Sequence, residues 1–304
     1  MNSYAKYSLF PDKKLLRVFG MALPIALLSI ADVFTDDTDA GDYVTAPPGT
    51  NMFLFYYQHS GFKNAYSKGH LTSSNSLLNS DIGIIRAVHW TEVGGIVIDP
   101  QFLMPFGKLD ATGDVRSLRN ASGFADLILA GSAWLINDAA KGRYFGVSNY
   151  LWLPVGSYNH SNPLNLGENR FKVAFEVFYI EPIIINELFF ELVGNETWYG
   201  RNRNYGSSGA SLTQEPSFHW QINLRYTPTD KIMVGGTVAQ DFGGDTHVGG
   251  VDQHNTIRTT KAKIALSYWY EKKSLASLTF GRDLSVENGL KVHEFIQLKF
   301  LQLF

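Results

Sequence analysis

The chain has 304 residues, 26 basic and 28 acidic, and a formal net charge of -2. That balance lacks the basic footprint of a nucleic-acid-binding surface, so no nucleic-acid partner is expected. Charged residues make up 18%, aromatics 14%, and there are 28 glycines, while the mean hydropathy of -0.08 excludes a bundle of membrane helices. An aromatic, Gly-rich, mildly polar chain suits a β-barrel with an apolar outside and a wet inside. A large soluble β protein fits the composition equally well. The lack of cysteine rules out a disulfide framework and thiol chemistry.

The N-terminus reads as an export signal. Lys13, Lys14 and Arg17 are basic, and VFGMALPIALLSI (Val18–Ile30) is too short to span a bilayer comfortably. Ser29, Ile30 and Ala31 supply a cleavage site, so residues 1–31 are the expected signal peptide, with Met21 an alternative start. Residues 32–50 (DVFTDDTDAGDYVTAPPGT) are acidic, then rich in Pro and Gly. They read as a periplasmic N-terminal segment or small plug. Asp36, Asp37, Asp39 and Asp42 are carboxylates of the kind hard cations prefer. Their spacing does not match an EF-hand, so a solvated linker is expected and no metal is assigned.

From Asn51 onward the chain becomes about twelve alternating segments, the proposed barrel 51–304. They begin near Asn51, Ser80, Gly95, Gly123, Arg143, Arg170, Asn186, Ser217, Lys231, Thr259, Ser274 and Lys291. In RFKVAFEVFY, Phe171, Val173, Phe175, Val177 and Tyr179 face one way, and Arg170, Lys172 and Glu176 the other. NELFFELV sets Leu188, Phe190 and Leu192 against Glu187, Phe189 and Glu191. SFHWQINLRY sets Phe218, Trp220, Ile222, Leu224 and Tyr226 against His219, Gln221, Asn223 and Arg225. KAKIALSYWY sets Ile264, Leu266, Tyr268 and Tyr270 against Lys261, Lys263 and Trp269. A period of two is a strand. The segments run about ten residues, against about five or six in globular sheets and the nine to eleven that cross a bilayer at a tilt. Their apolar faces end in aromatic residues, as membrane-interface girdles require.

The connections after the second, fourth, sixth, eighth and tenth segments are short: TEVG, NDAAKG, EPIII, TPTD and EKK. Those after the first, third, fifth, seventh and ninth are long and polar, and the last, SVENG, reads as intermediate. Short turns on one side and long loops on the other are the outer-membrane pattern. The chain ends KVHEFIQLKFLQLF, an alternating, apolar terminus where chains usually fray. Closure against the first strand explains it, since lipid tolerates no open sheet edge. Phe300 and the terminal Phe304 then face outward, and the aromatic end is the signal expected for the outer-membrane barrel-assembly machinery.

Alternation assigns the lumen to Arg170, Lys172, Glu176, Glu191, His219, Arg225, Lys261, Lys263, Trp269, His293 and Lys299, with Glu187 and Gln221. Both signs are present, so some of these groups must pair across the interior. Lys261, Lys263 and Arg225 lean cationic, which in a water-filled pore would favour anions. Trp134, Tyr150, Trp152, Phe178 and Phe189 also fall inward and suit a hydrophobic ligand better than an ionic pore.

Enzyme signatures do not appear. There is no GxSxG, HExxH or P-loop. No His is followed two residues later by Ser, the spacing of the twelve-stranded outer-membrane phospholipases. His247 and His254 share a loop with Asp245 and Asp252, read here as a polar loop and not as a metal site. No catalytic residue and no cofactor are assigned.

The stretches APPGTNMFLFYYQH, GFADLILAGSAWL, LPVGSYNHSNPLNLGENRFKVAFEVFY and GGDTHVGG carry a resemblance. Over about residues 45–304 the chain resembles the outer-membrane family named for the MetA-pathway of phenol degradation, which includes SphA-type proteins. The resemblance implies a Gram-negative outer-membrane barrel passing aromatic or other hydrophobic small molecules, and it brings no catalytic residues; the chain itself shows no element for energy coupling, so passage is expected to be passive. The expectation is thus an all-β, closed antiparallel transmembrane barrel of about 12 strands. Its partners would be membrane lipid, the assembly machinery and a hydrophobic small-molecule substrate. A general diffusion porin and a structural or adhesion barrel are the alternatives.

Overall fold

The computed structural model describes residues 37–304; the expected signal peptide and Asp36 lie outside them. Twelve long strands form the wall. They are β1 (Asn51–Ser67), β2 (Ser76–His89), β3 (Ile96–Gly113), β4 (Leu127–Asp138), β5 (Arg143–Leu153), β6 (Lys172–Ile184), β7 (Leu188–Tyr199), β8 (Ser217–Thr229), β9 (Ile232–Gly243), β10 (Ile257–Glu271), β11 (Ser274–Val286) and β12 (Gly289–Leu303). Each pairs antiparallel with its sequence neighbour, and β12 pairs back onto β1 to close the sheet. The closing register runs from Met52↔Leu303 through Phe55↔Phe300, and the Phe304 amide donates to the Asn51 carbonyl at 2.9 Å. The terminal strand is thus hydrogen-bonded to its last residue, and no edge is left.

The strands run from 11 to 18 residues, longer than the ten expected. The apolar alternation covers the membrane belt, and polar extensions carry the wall beyond it. Phe175, Val177, Leu224, Ile264, Leu266, Leu298 and Phe300 are exposed on the outer face. Lys172, Glu176, Gln221, Asn223, Lys261 and Lys299 alternate with them and are buried inside. This inversion of the soluble pattern fits a wall whose outer solvent is lipid.

The turns at one end are tight, at residues 185–187, 230–231 and 272–273. The opposite end carries the long connections, two of which contribute a small sheet of Asn202–Tyr205, Ala210–Gln214, Thr246–Val248 and Val251–Asp252. SVENG is not intermediate. It belongs to the tops of β11 and β12, and only residues 287–288 link them. The loop between β5 and β6 is pinned by buried Asp126, which accepts from the amides of Gly156 and Glu168, each at 2.9 Å. Because its carboxylate is buried, the pKa of Asp126 is raised, against the pull of those two amide bonds.

Close strand contact at one point demands glycine. A Cβ on Gly107 of β3 would sit 2.0 Å from the Asp81 carbonyl of β2. Any side chain there would part the β2–β3 seam.

Candidate functional site

The lumen has two unlike walls. Strands β8–β10 and β12 present His219, Gln221, Asn223, Arg225, Asp241, Lys261, Lys263, Gln297 and Lys299. Strands β4–β7 present Trp134, Trp152, Phe178, Phe189 and Val193, all buried. The segment 37–50 contacts both.

Its carboxylates meet the charged wall. Asp37 lies 3.0 Å from Lys261 Nζ, 3.3 Å from Lys263 Nζ and 3.7 Å from His219 Nε2, and its side chain is 0% exposed. Lys261 also meets Asp241 at 2.8 Å, and Asp241 meets His219 Nδ1 at 2.7 Å. Asp39 pairs with Lys299 at 2.7 Å and accepts from Gln297 Nε2 at 2.9 Å. Asp42 lies 3.3 Å from Lys299 and 3.7 Å from Arg86 of β2. Neutral contacts fill the gaps. Gln221 Nε2 donates to Thr38 Oγ1 at 2.8 Å. The Gly41 amide donates at 3.0 Å to Glu191, which also accepts from Arg225 Nε at 2.5 Å. Burial pushes the Asp37 and Asp39 carboxyls up, but the ammonium groups of Lys261, Lys263 and Lys299 more than offset it. Both are held below the usual carboxylate range.

Residues 37–42 are therefore not the solvated linker expected from their composition. An acidic run reads as solvated only when no matching cations lie near it. Here the cations sit on three separate strands, Arg86 on β2, Lys261 and Lys263 on β10 and Lys299 on β12, and no local pattern reveals their convergence. The same pairing overturns the anion preference read from Lys261, Lys263 and Arg225. Their charge is neutralised by Asp37, Asp241 and Glu191. Asp37, His219 and Asp241 have the separations of a metal triad, with ligand atoms within 4.8 Å of one another. The Lys261 ammonium, bonded to both carboxylates, already supplies the positive charge there.

Tyr43 meets the aromatic wall. Its ring lies parallel to Phe178, with centroids 3.9 Å apart and 5° between planes. Trp134 meets the same Phe178 ring edge-on at 5.7 Å and donates Nε1–H to the Tyr43 carbonyl at 3.0 Å. The Tyr43 hydroxyl bonds to the Glu176 carboxylate and lies 3.1 Å from the Tyr150 hydroxyl. Gly146 of β5 makes the stack possible, because a Cβ there would lie 2.4 Å from Phe178 Cζ. Beside Tyr43 remains a cavity of about 50 Å³, lined in part by Leu103, Ile128, Tyr150, Trp152 and Ala174. A dry cavity that takes benzene is about 150 Å³, so this space admits waters but not a ring.

Of the residues assigned to the lumen from alternation, Arg170, Lys172, Glu176, Glu191, His219, Arg225, Lys261, Lys263 and Lys299 are buried. Arg170 and Lys172 sit where the long β5–β6 loop meets the wall, each 2.5 Å from Glu168. Lys172 lies over the Trp152 ring at 4.8 Å. Trp269 is half-buried near the tight-turn end of β10, and Glu187 is exposed in the turn before β7. His293 does not line the lumen. The closing register steps from Gly61↔Glu294 to Phe62↔Val292, so His293 is the extra residue of a β-bulge. Val292 and Phe295 take the inner positions, and His293 is exposed outside. Arg86, inside the apolar run GIIRAV, and Asp241 in AQDFG lack a flanking charge pattern to mark them, though strict alternation along β2 and β9 points both inward. Tyr43 and Gly146 carry no sequence signal of this role.

The family model described as "Putative MetA-pathway of phenol degradation" matches residues 63–300. The chain belongs to this family. An outer membrane channel from Pseudomonas putida F1 is 33% identical, with a TM-score of 0.85, covering 88% of this chain and 100% of that one. Two more distant solved barrels fall below a TM-score of 0.5. The Pseudomonas putida toluene transporter TodX scores 0.44 at 7% identity, over 85% of this chain and 89% of its own. The β domain of the Bordetella autotransporter BrkA scores 0.47 at 10% identity, over 85% and 100%. No curated protein matches the chain. The protein is an outer-membrane transport barrel of the Gram-negative type, and its 33%-identical relative is an outer membrane channel.

Proposed function

We propose that the barrel carries hydrophobic or aromatic small molecules across the outer membrane passively, with residues 32–50 as a small plug. One observation carries the reading. The charged wall is neutralised by Asp37, Asp39 and Asp42 of the segment itself, which leaves the aromatic wall of β4–β7, covered by Tyr43 while the segment is docked, as the surface a solute meets once Tyr43 leaves. A diffusion porin needs a wetted, uncompensated charged constriction, whereas Lys261, Lys263 and Lys299 are each paired with a carboxylate here. Residues 1–31 are the signal peptide in this reading. β12, followed by the terminal Phe304, is the element presented to the assembly machinery in this reading.

The test is uptake by a Gram-negative host lacking channels of its own for such solutes. Expression of the chain speeds naphthalene entry and leaves the permeability to a small hydrophilic saccharide unchanged. Faster saccharide entry with no gain for naphthalene would sink the proposal.

A further inference from the structure

The slot that holds the Tyr43 ring has the features of a ligand site. The ring arrives from the N-terminal segment, while the barrel supplies the stacking and hydroxyl contacts around it. Phe178 stacks on its face at 3.9 Å. The phenolic hydroxyl meets the Glu176 carboxylate, the Tyr150 hydroxyl at 3.1 Å and the Ser148 hydroxyl at 3.4 Å. Ser148 is held in turn by Ser132 at 2.9 Å. Beyond its Cα, tyrosine is para-cresol. We propose that a para-substituted monophenol occupies this slot in place of Tyr43, so that the solute and the chain's own tyrosine compete for one site.

The inference rests on the uptake reading and adds the chemical class of the solute. Its physical basis is the polar end of the slot. A flat apolar face accepts any aromatic ring, but Glu176 is 1% exposed and needs donors. A ring without a hydroxyl would bury that carboxylate short of one of its bonds, whereas a phenol restores it. Sites built around a substrate hydroxyl discriminate strongly for this reason. Competition also supplies a release step, because Tyr43 is tethered beside the slot and rebinds as an intramolecular ligand.

The test uses the full chain carrying Tyr43→Ala in detergent, with folding checked by heat-modifiable migration. Titration calorimetry compares para-cresol with toluene, which differ by the hydroxyl alone. The expected result is that para-cresol binds at least about tenfold more tightly than toluene, the minimum for a hydrogen bond to a charged group. Wild type, with Tyr43 in place, should bind para-cresol at least about tenfold more weakly than the variant, since the tethered ring competes. In Tyr43→Ala combined with Glu176→Leu, the preference for the hydroxyl disappears. If Tyr43→Ala does not fold, Tyr43→Val vacates the same ring volume and carries the comparison. Equal binding of toluene and para-cresol, or a folded variant that binds neither, would overturn the proposal. Because binding is read in detergent without flux, its failure is separable from failure of the uptake assay.

Discussion

Asp37 offers a quantitative handle on how the N-terminal segment is held in the lumen. Its carboxylate is fully enclosed, and it faces Lys261 at 3.0 Å and Lys263 at 3.3 Å. Asp37→Asn keeps the size and removes the charge. Lys261 retains Asp241 at 2.8 Å, whereas Lys263 loses the carboxylate it pairs with. Removing one partner of a buried ion pair costs about 3–5 kcal/mol, because the other charge stays buried and uncompensated. Taking about 3 kcal/mol, the undocked population rises roughly 150-fold at 1.36 kcal/mol per decade. The natural chain has no cysteine, so Ala40→Cys, at a position 5% exposed, reports undocking through its rate of reaction with a water-soluble maleimide. That rate should rise by about two orders of magnitude on adding Asp37→Asn. A rate unchanged within a factor of two, in a correctly folded barrel, would mean that the ion pairs do not hold the segment in place.

Three further outcomes follow from the same geometry. Because the docked Asp37 and Asp39 pKa values are depressed, their stabilisation is complete above the ordinary carboxylate pKa and is lost only as pH falls through the lower docked values. Bilayer leak should therefore stay flat from pH 7 down to about pH 5 and rise only in stronger acid, below the ordinary carboxylate pKa of about 4; a rise near pH 6 would contradict this. Gly107→Ala, which drives a Cβ to 2.0 Å from the Asp81 carbonyl, should abolish the heat-modifiable folded band on gels. Ile264→Arg, at an outward position 59% exposed on β10, should destabilise the barrel by about 2–4 kcal/mol in urea unfolding from bilayers. Loss of less than 0.5 kcal/mol would place Ile264 outside the apolar belt.

The wall of this protein is legible in the sequence because lipid imposes a strict rule on each strand. Every outward residue from Phe171 to Val177 is apolar, and the inward ones between them, Lys172, Ala174 and Glu176, are small or polar. Segment starts such as Asn51, Arg143, Ser217 and Ser274 coincide with strand starts. Alternation failed where the backbone breaks its own period, as at the bulge that turns His293 outward. The interior was legible only in part. That Lys261, Lys263 and Lys299 point inward follows from periodicity, but that they converge on Asp37 and Asp39 depends on the closed barrel and the path of a strandless segment. Tyr43 was invisible for the same reason: no spacing along the chain links it to Phe178 or Glu176.

In the proposed function the barrel is a plugged, solute-selective passage and not an open ionic pore. Single-channel recording of the refolded protein in a planar bilayer tests it most directly. A plugged barrel gives a low basal current that Asp37→Asn raises at least tenfold. A steady, high conductance in the unaltered protein, with an ion preference that inverts on charge reversal at Lys261 or Lys263, would contradict it.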